Sequence, residues 1–274
     1  MVLESIWFFL WGLLWAIFFM TDGFDLGIGT VYPFIGKNEE EKRVMINSLG
    51  PLWDGNEVWL ITAGGVTFAA FPLVYSVMFS TLYTPLMLIL FALIIRGVSF
   101  EFRGLSQNKA WVRTWDTAVF LGSFLPSFLF GVAFANIFQG IPFDGEGIMH
   151  GNLFSLLNPY GILGGVLFTV LFVGHGLIWI CIRGFGKLQD RAHKIVKKVW
   201  AAEVITVAVF LAASYTYTGL YENYLSYPVL WLIPLAAAAS LLLMRIYIEK
   251  ENFFKAWGAS AASIVFCTFF GIAG

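Results

Sequence analysis

Long apolar runs recur along this chain, and they constrain its fold more than any other feature. About 20 predominantly apolar residues are enough to cross a bilayer as a helix. Runs of that kind fall at residues 6–35, 52–74, 77–100, 114–137, 158–182, 198–219, 226–246 and 257–274. They predict an all-α polytopic membrane protein, one integral membrane domain of eight transmembrane helices. The long polar connection near 140–157 suggests a division into two four-helix bundles. Charge agrees with this, because 12% of the 274 residues are charged, about half the usual share of a soluble domain. So few charges cannot clothe a soluble globule, and lipid must cover much of the surface. A net charge of −1, with no basic strip interleaved with aromatics, excludes nucleic-acid binding as a main role.

The first run could be mistaken for a signal peptide. It has an acid, Glu4, and no base before the apolar stretch, and it continues well past 20 residues, so it reads as a retained span. It reaches Gly36, long enough to tilt or to project from the bilayer. The last run stops at CTFFGIAG with no polar cap, which suggests a chain cut short or a disordered end. Cys181 and Cys267 each lie inside an apolar run, which is neither a disulfide framework nor a zinc spacing. Both read as small core residues.

The bases sort by side. Lys37, Lys42 and Arg43 follow the first run; Arg96, Arg103, Lys109 and Arg113 flank the connection from third to fourth. Arg183, Lys187, Arg191, Lys194, Lys197 and Lys198 lie between fifth and sixth, and Arg245, Lys250 and Lys255 between seventh and eighth. All 16 bases therefore fall on one side, while the opposite segments carry Glu4, Asp144, Glu146 and Glu222. The positive-inside rule then places the N-terminus outside a multi-pass cell membrane.

Acids inside or near the runs carry the functional signal. Asp22 and Asp25 lie within the first run, Asp54 and Glu57 at the start of the second, Glu101 and Asp116 at the ends of the third and fourth, and Glu203 early in the sixth. A carboxyl at mid-helix costs roughly 2.5 to 3.5 kcal/mol on insertion scales, so a cluster of them points to function. Asp22 and Asp25 are three residues apart, as are Asp54 and Glu57, so each pair shares a helix face and the two faces can meet. The plainer reading is pairing with Arg96, Arg103 or Arg113, or helix capping. Asp54 follows Gly50-Pro51 at a helix start, where the helix dipole favours an acid. Asp25 is flanked by Gly23, Gly27 and Gly29, which permit close helix approach.

Histidine is scarce. His150 falls in an outer loop, His193 in an inner one, and only His175, between Gly174 and Gly176, lies within a run. A bis-His haem site inside this chain is thereby excluded, and His175 is expected to hydrogen-bond within the bundle. No metal site and no phosphate loop is expected.

The segments TDGFDLGIG (21–29) and GPLWDGNEVWLITAGGVTFAAFPLVYS (50–76) closely resemble subunit II of the cytochrome bd quinol oxidases. The likeness continues in LIIRGVSFEFR (93–103), WDTAVFLGSFLPSFLFGVAFANIFQGIPF (115–143) and NLFSLLNPYGILGG (152–165). The resemblance implies a respiratory complex of a bacterial or archaeal cell membrane. In it, a haem-bearing subunit I holds haems b and d and oxidises quinol with oxygen as acceptor, while this chain binds no haem. It assigns Asp25, Asp54 and, with them, Glu57 to a proton route from the cytoplasm, and Trp59 to an oxygen-access path. Asn56, Arg96 and Asp116 become structural polar positions. It leaves open a small single-helix subunit, a bound quinone, and a ninth helix beyond the eighth. The rival readings are an ion or solute transporter, disfavoured by the lack of a clear inverted repeat, and a purely structural membrane partner.

Overall fold

A computed structural model describes residues 2–144 and 153–274 of the chain. Glu146 and His150 lie outside the described residues. The described residues form α-helices and short 3₁₀ turns and contain no strand. The helices are α1 (Val2–Ile35), α2 (Glu39–Leu49), α3 (Trp53–Ala70), α4 (Pro72–Thr81), α5 (Tyr83–Phe102) and α6 (Lys109–Gln139). After them come α7 (Leu153–Leu156), α8 (Pro159–Arg183), α9 (Gly186–Tyr217), α10 (Leu220–Ser226), α11 (Leu232–Glu249) and α12 (Phe253–Ala273). Among the described residues, six segments are long and apolar enough to cross a membrane: Val2–Ile35, Tyr83–Leu105, Lys109–Gln139, Pro159–Arg183, Pro228–Glu249 and Phe253–Ala273.

The second and sixth apolar runs are not among those six, and their helices differ from the sequence expectation for local reasons. The second run breaks at Phe71, because Pro72 has no N–H to extend α3 and instead starts α4 at its first position. The expected boundary between the second and third spans therefore falls inside α4. The sixth run is the apolar part of α9, which begins at Gly186, where a polar, charged stretch is already helical. Ends capped by side chains sit closer to expectation. Asn108 accepts hydrogen bonds from Ala110 N and Trp111 N at the start of α6, and Asn158 accepts from Gly161 N at the start of α8.

α1 and α8 form the centre. α1 packs on α3, α6, α8 and α12, and α8 packs on α6, α9 and α12. The α1–α8 crossing is backbone to backbone: a Cβ on Gly27 would fall on the carbonyl of Phe172, and one on Gly176 would meet the backbone of Gly27 and Ile28. Only glycine admits that approach. Above it lies an aromatic core in which Trp15 meets Phe134 at 5.1 Å and Phe19 meets Phe168 at 4.9 Å between ring centroids. Both main apolar clusters draw on α1, α6, α8, α9 and α12, so the core crosses the midpoint of the chain without a seam. Apolar side chains such as Ile61, Phe68, Leu73, Phe91 and Leu235 stand outward, each more than half exposed, as a lipid- or partner-facing surface requires.

One end of the bundle gathers ion pairs. Lys42 bonds Asp116 at 2.6 Å, Arg103 bonds Glu39 at 2.9 Å, Arg191 bonds Glu41 at 2.9 Å, and Lys197 bonds Glu249 at 2.8 Å. The acids of α2 thus tie the connection after α1 to helices far along the chain.

Candidate functional site

Arg96 sits inside α5 and is fully buried, with no exposed side-chain surface. It lies within the apolar segment Tyr83–Leu105, inside the third run and short of the connection it was counted as flanking. A guanidinium there must find acids, and its Nη2 donates to Asp22 Oδ1 at 2.8 Å and to Glu57 Oε1 at 2.6 Å. Asp22 and Asp25 are both buried on α1, three residues apart on one face of the helix. Asp25 Oδ2 accepts from Asn56 Nδ2 at 2.8 Å. Asp22 and Glu57 therefore share one guanidinium, while Asp25, one helical turn from Asp22, is held by Asn56.

The cluster is not saturated. Asp22 Oδ2, Asp25 Oδ1, and Nε and Nη1 of Arg96 are buried without a hydrogen-bond partner among the described residues. Unpaired donors and acceptors facing one small region are the chemistry of a buried water site.

The sequence-predicted residues divide between this cluster and its surroundings. Asp25, Asn56, Glu57 and Arg96 meet in it. Asp54, in the first turn of α3, is exposed, and its Oδ1 accepts from Gly55 N at 2.8 Å. The two acid pairs accordingly meet through Glu57 and not through Asp54. Asp54 lies on the outer flank of α3, on the side of exposed Val58 and Ile61. Trp59 is half-buried against the aromatic core. A crevice of about 570 Å³ between α3, α4 and α5 is lined by Leu60, Ile61, Gly64, Phe68 and Leu90, and Trp59 is not part of its wall.

Asp116 belongs to a separate network near the ion-paired end, accepting from Arg103 Nε at 2.6 Å, Lys42 Nζ at 2.6 Å and Tyr32 Oη at 2.9 Å. Lys42 and Tyr32 escaped the sequence reading. Tyr32 stands seven residues after Asp25, which puts both on one face of α1, and that spacing was the available signal. Beyond the membrane segments, the hydrogen bond from Arg191 holds the Glu41 carboxyl below its usual range.

His175 hydrogen-bonds inside the bundle. Nδ1 meets Ser260 Oγ at 3.0 Å, Nε2 meets the Met20 carbonyl at 3.1 Å, and the ring stacks on Trp257 at 5.0 Å. With both ring nitrogens engaged, this residue does not fit an axial haem ligand. No group of three or more His, Cys, Asp or Glu placed to hold a metal occurs among the described residues.

Fold and site together define a polytopic helical membrane protein that carries a carboxyl–guanidinium cluster inside its first group of long helices. Residues 3–274 match the family model described as cytochrome bd terminal oxidase subunit II, and the chain belongs to that family. It is 40% identical over 264 residues to cytochrome bd ubiquinol oxidase subunit 2 of Bacillus subtilis (strain 168), covering 96% of this chain and 77% of that protein. It is 42% identical over 216 residues to cytochrome bd-I ubiquinol oxidase subunit 2 of Escherichia coli (strain K12), covering 77% of this chain and 56% of that one. The fold is similar to a chain of the bd oxidase from Geobacillus thermodenitrificans, with a TM-score of 0.82 at 15% identity, over 100% of this chain and 84% of that chain.

Proposed function

We propose that this chain is subunit II of a bd-type quinol:oxygen oxidoreductase of a bacterial cell membrane. It braces a haem-bearing subunit I and supplies a cytoplasmic proton route for the reduction of oxygen to water. Haems b and d belong to subunit I in this reading, and quinol and oxygen are substrates of the complex. Eight spans carry the chain across the membrane, with α3 and α9 joining the six longer apolar segments and the N-terminus outside. The two groups of four in this reading are α1, α3, α5 and α6, and α8, α9, α11 and α12, joined by the packing of α1 and α6 on α8.

The observation that carries the proton route is the two buried acids of one face of α1, Asp22 on Arg96 and Asp25 on Asn56. A proton arriving at exposed Asp54 passes along the first turns of α3, by Glu57 and Asn56, to Asp25. The surplus of acids over the single guanidinium gives the cluster a place to hold it. Oxygen reduction consumes protons as well as electrons, so an accessory subunit without a redox centre still shares in turnover. The exposed apolar stripe of α3, with Asp54 at its head and Ile61 and Phe68 along it, suits the face that meets subunit I. Trp59 and the crevice beside α3 suit the approach of oxygen.

The test is the pair Asp25→Asn and Asp54→Asn in the intact complex, since Asn keeps the shape but cannot titrate. Both variants are expected to assemble with full visible haem absorbance and to consume oxygen roughly tenfold or more slowly, with Asp54→Glu restoring part of the rate. Normal turnover in the assembled double variant rules out the relay. Loss of haem and complex together assigns these residues a scaffold role.

A further inference from the structure

A second buried acid stands apart from this cluster and from the route assigned to it. Glu203 on α9 is 1% exposed, and neither carboxyl oxygen has a hydrogen-bond partner among the described residues. No base among the described residues pairs with it. The carboxyl lies directly on α8 at Gly174, where a Cβ would collide with Oε1, so the glycine makes the space the acid occupies. Gly174 adjoins His175, which bonds the Met20 carbonyl of α1. Glu203 therefore sits at about the depth of Asp22, on the far side of α8. On α12 the hydroxyl of Ser263 is buried and also lacks a partner among the described residues, and Cys267 stands one turn further along the same helix. Cys267 also lines an apolar crevice of about 300 Å³ between α9 and α11, together with Trp200, Val204, Val207 and Leu241.

We propose that Glu203 is a second proton-holding site of this membrane domain, a neutral carboxylic acid at the junction of α8, α9 and α12 that opens toward the lipid phase through the α9–α11 crevice. An unpaired carboxylate in an apolar bundle has nothing to offset its lost hydration, whereas the neutral acid forfeits only hydrogen bonds. The same charge balance that calls for Arg96 beside Asp22 calls for a proton on Glu203. The site does not rest on the relay through Asp25 and Asp54, so either can fail alone.

The test uses the intact complex in membranes. Infrared spectra of wild type and Glu203→Gln are compared in H₂O and D₂O. The expected result is one carboxylic-acid C=O band, shifted by deuterium in the wild type and missing from the variant. Identical acid bands in both proteins overturn the proposal, because Glu203 would then be ionised. Dicyclohexylcarbodiimide provides a measurement that needs no variant. The acid O–H adds across its C=N bond, the proton going to nitrogen and the carboxyl oxygen to carbon, and the adduct rearranges to a stable N-acylurea. Peptide mapping is expected to find that adduct at Glu203 after this lipid-soluble reagent and not after a water-soluble carbodiimide. Absence of the adduct at Glu203, or its formation with the water-soluble reagent alone, overturns the lipid-facing site.

Discussion

The two halves of the bundle bury acids at similar depth in opposite ways. Around α1, α3 and α5, Asp22, Asp25 and Glu57 share one guanidinium and an amide. Between α8, α9 and α12, Glu203 has neither among the described residues. The effective cost of burying an ion is several kcal/mol, and a neutral group left without a hydrogen bond costs about 1–3 kcal/mol. The first arrangement therefore depends on a base held in place by tertiary contacts, and the second on a proton. A site of the first kind fails when its base is removed, whereas a site of the second kind fails when its space is filled.

The largest expected effect breaks the first site. Arg96→Leu leaves Asp22 and Glu57 without their base and should destabilise the complex by about 3–5 kcal/mol, read as lost assembly or a lowered melting temperature in detergent. Arg96→Lys should recover part of that loss. An unchanged melting temperature for Arg96→Leu would mean that the acids do not depend on the guanidinium.

A smaller effect sharpens the contrast at the second site. Gly174→Ala pushes a methyl group into the Glu203 carboxyl and should cost about 1–3 kcal/mol through overpacking. Gly258→Ala on α12 is the control. Nothing lies within 4 Å of its added Cβ, so the helix should gain about 0.5–1 kcal/mol. Equal shifts for the two substitutions would deny that Glu203 packs on Gly174.

The smallest effect lies outside the membrane, at Glu41. Its hydrogen bond from Arg191 lowers the folded-state pKa below the usual 4.5. The contribution is thus present above that value and lost as pH falls through the lowered one. The pair is part-buried at the edge of the bundle, with 25% of the Arg191 and 12% of the Glu41 side chain exposed, so Glu41→Gln should cost about 1 kcal/mol at neutral pH. The difference in melting temperature from wild type should shrink on acidification, and a difference that widens would contradict the pairing.

Asp25, Glu57 and Arg96 were each legible as acids or bases near apolar runs, and the three-residue spacing placed Asp22 with Asp25 and Asp54 with Glu57. That Glu57 and not Asp54 would reach α1 was not legible. Spacing fixes which residues share a face of one helix and says nothing of how that helix is rotated toward its neighbour. The breaks at Phe71 and at the start of α9 show the same limit. Apolar length marks where a chain can sit in lipid, while helices begin and end where backbone hydrogen bonds permit.

The sequence alone determined that the chain is helical and membrane-embedded, since apolar runs of bilayer length leave the backbone few other ways to satisfy its hydrogen bonds. Its motifs also carried the family. Only the tertiary structure decided that Arg96 belongs to Asp22, 74 residues away, that Asp54 stands on the outer flank, and that Glu203 has no base among the described residues. Those outcomes depend on contacts between helices, and the contacts follow from glycine crossings such as Gly27 on Phe172, which set how α1 and α8 are turned toward each other.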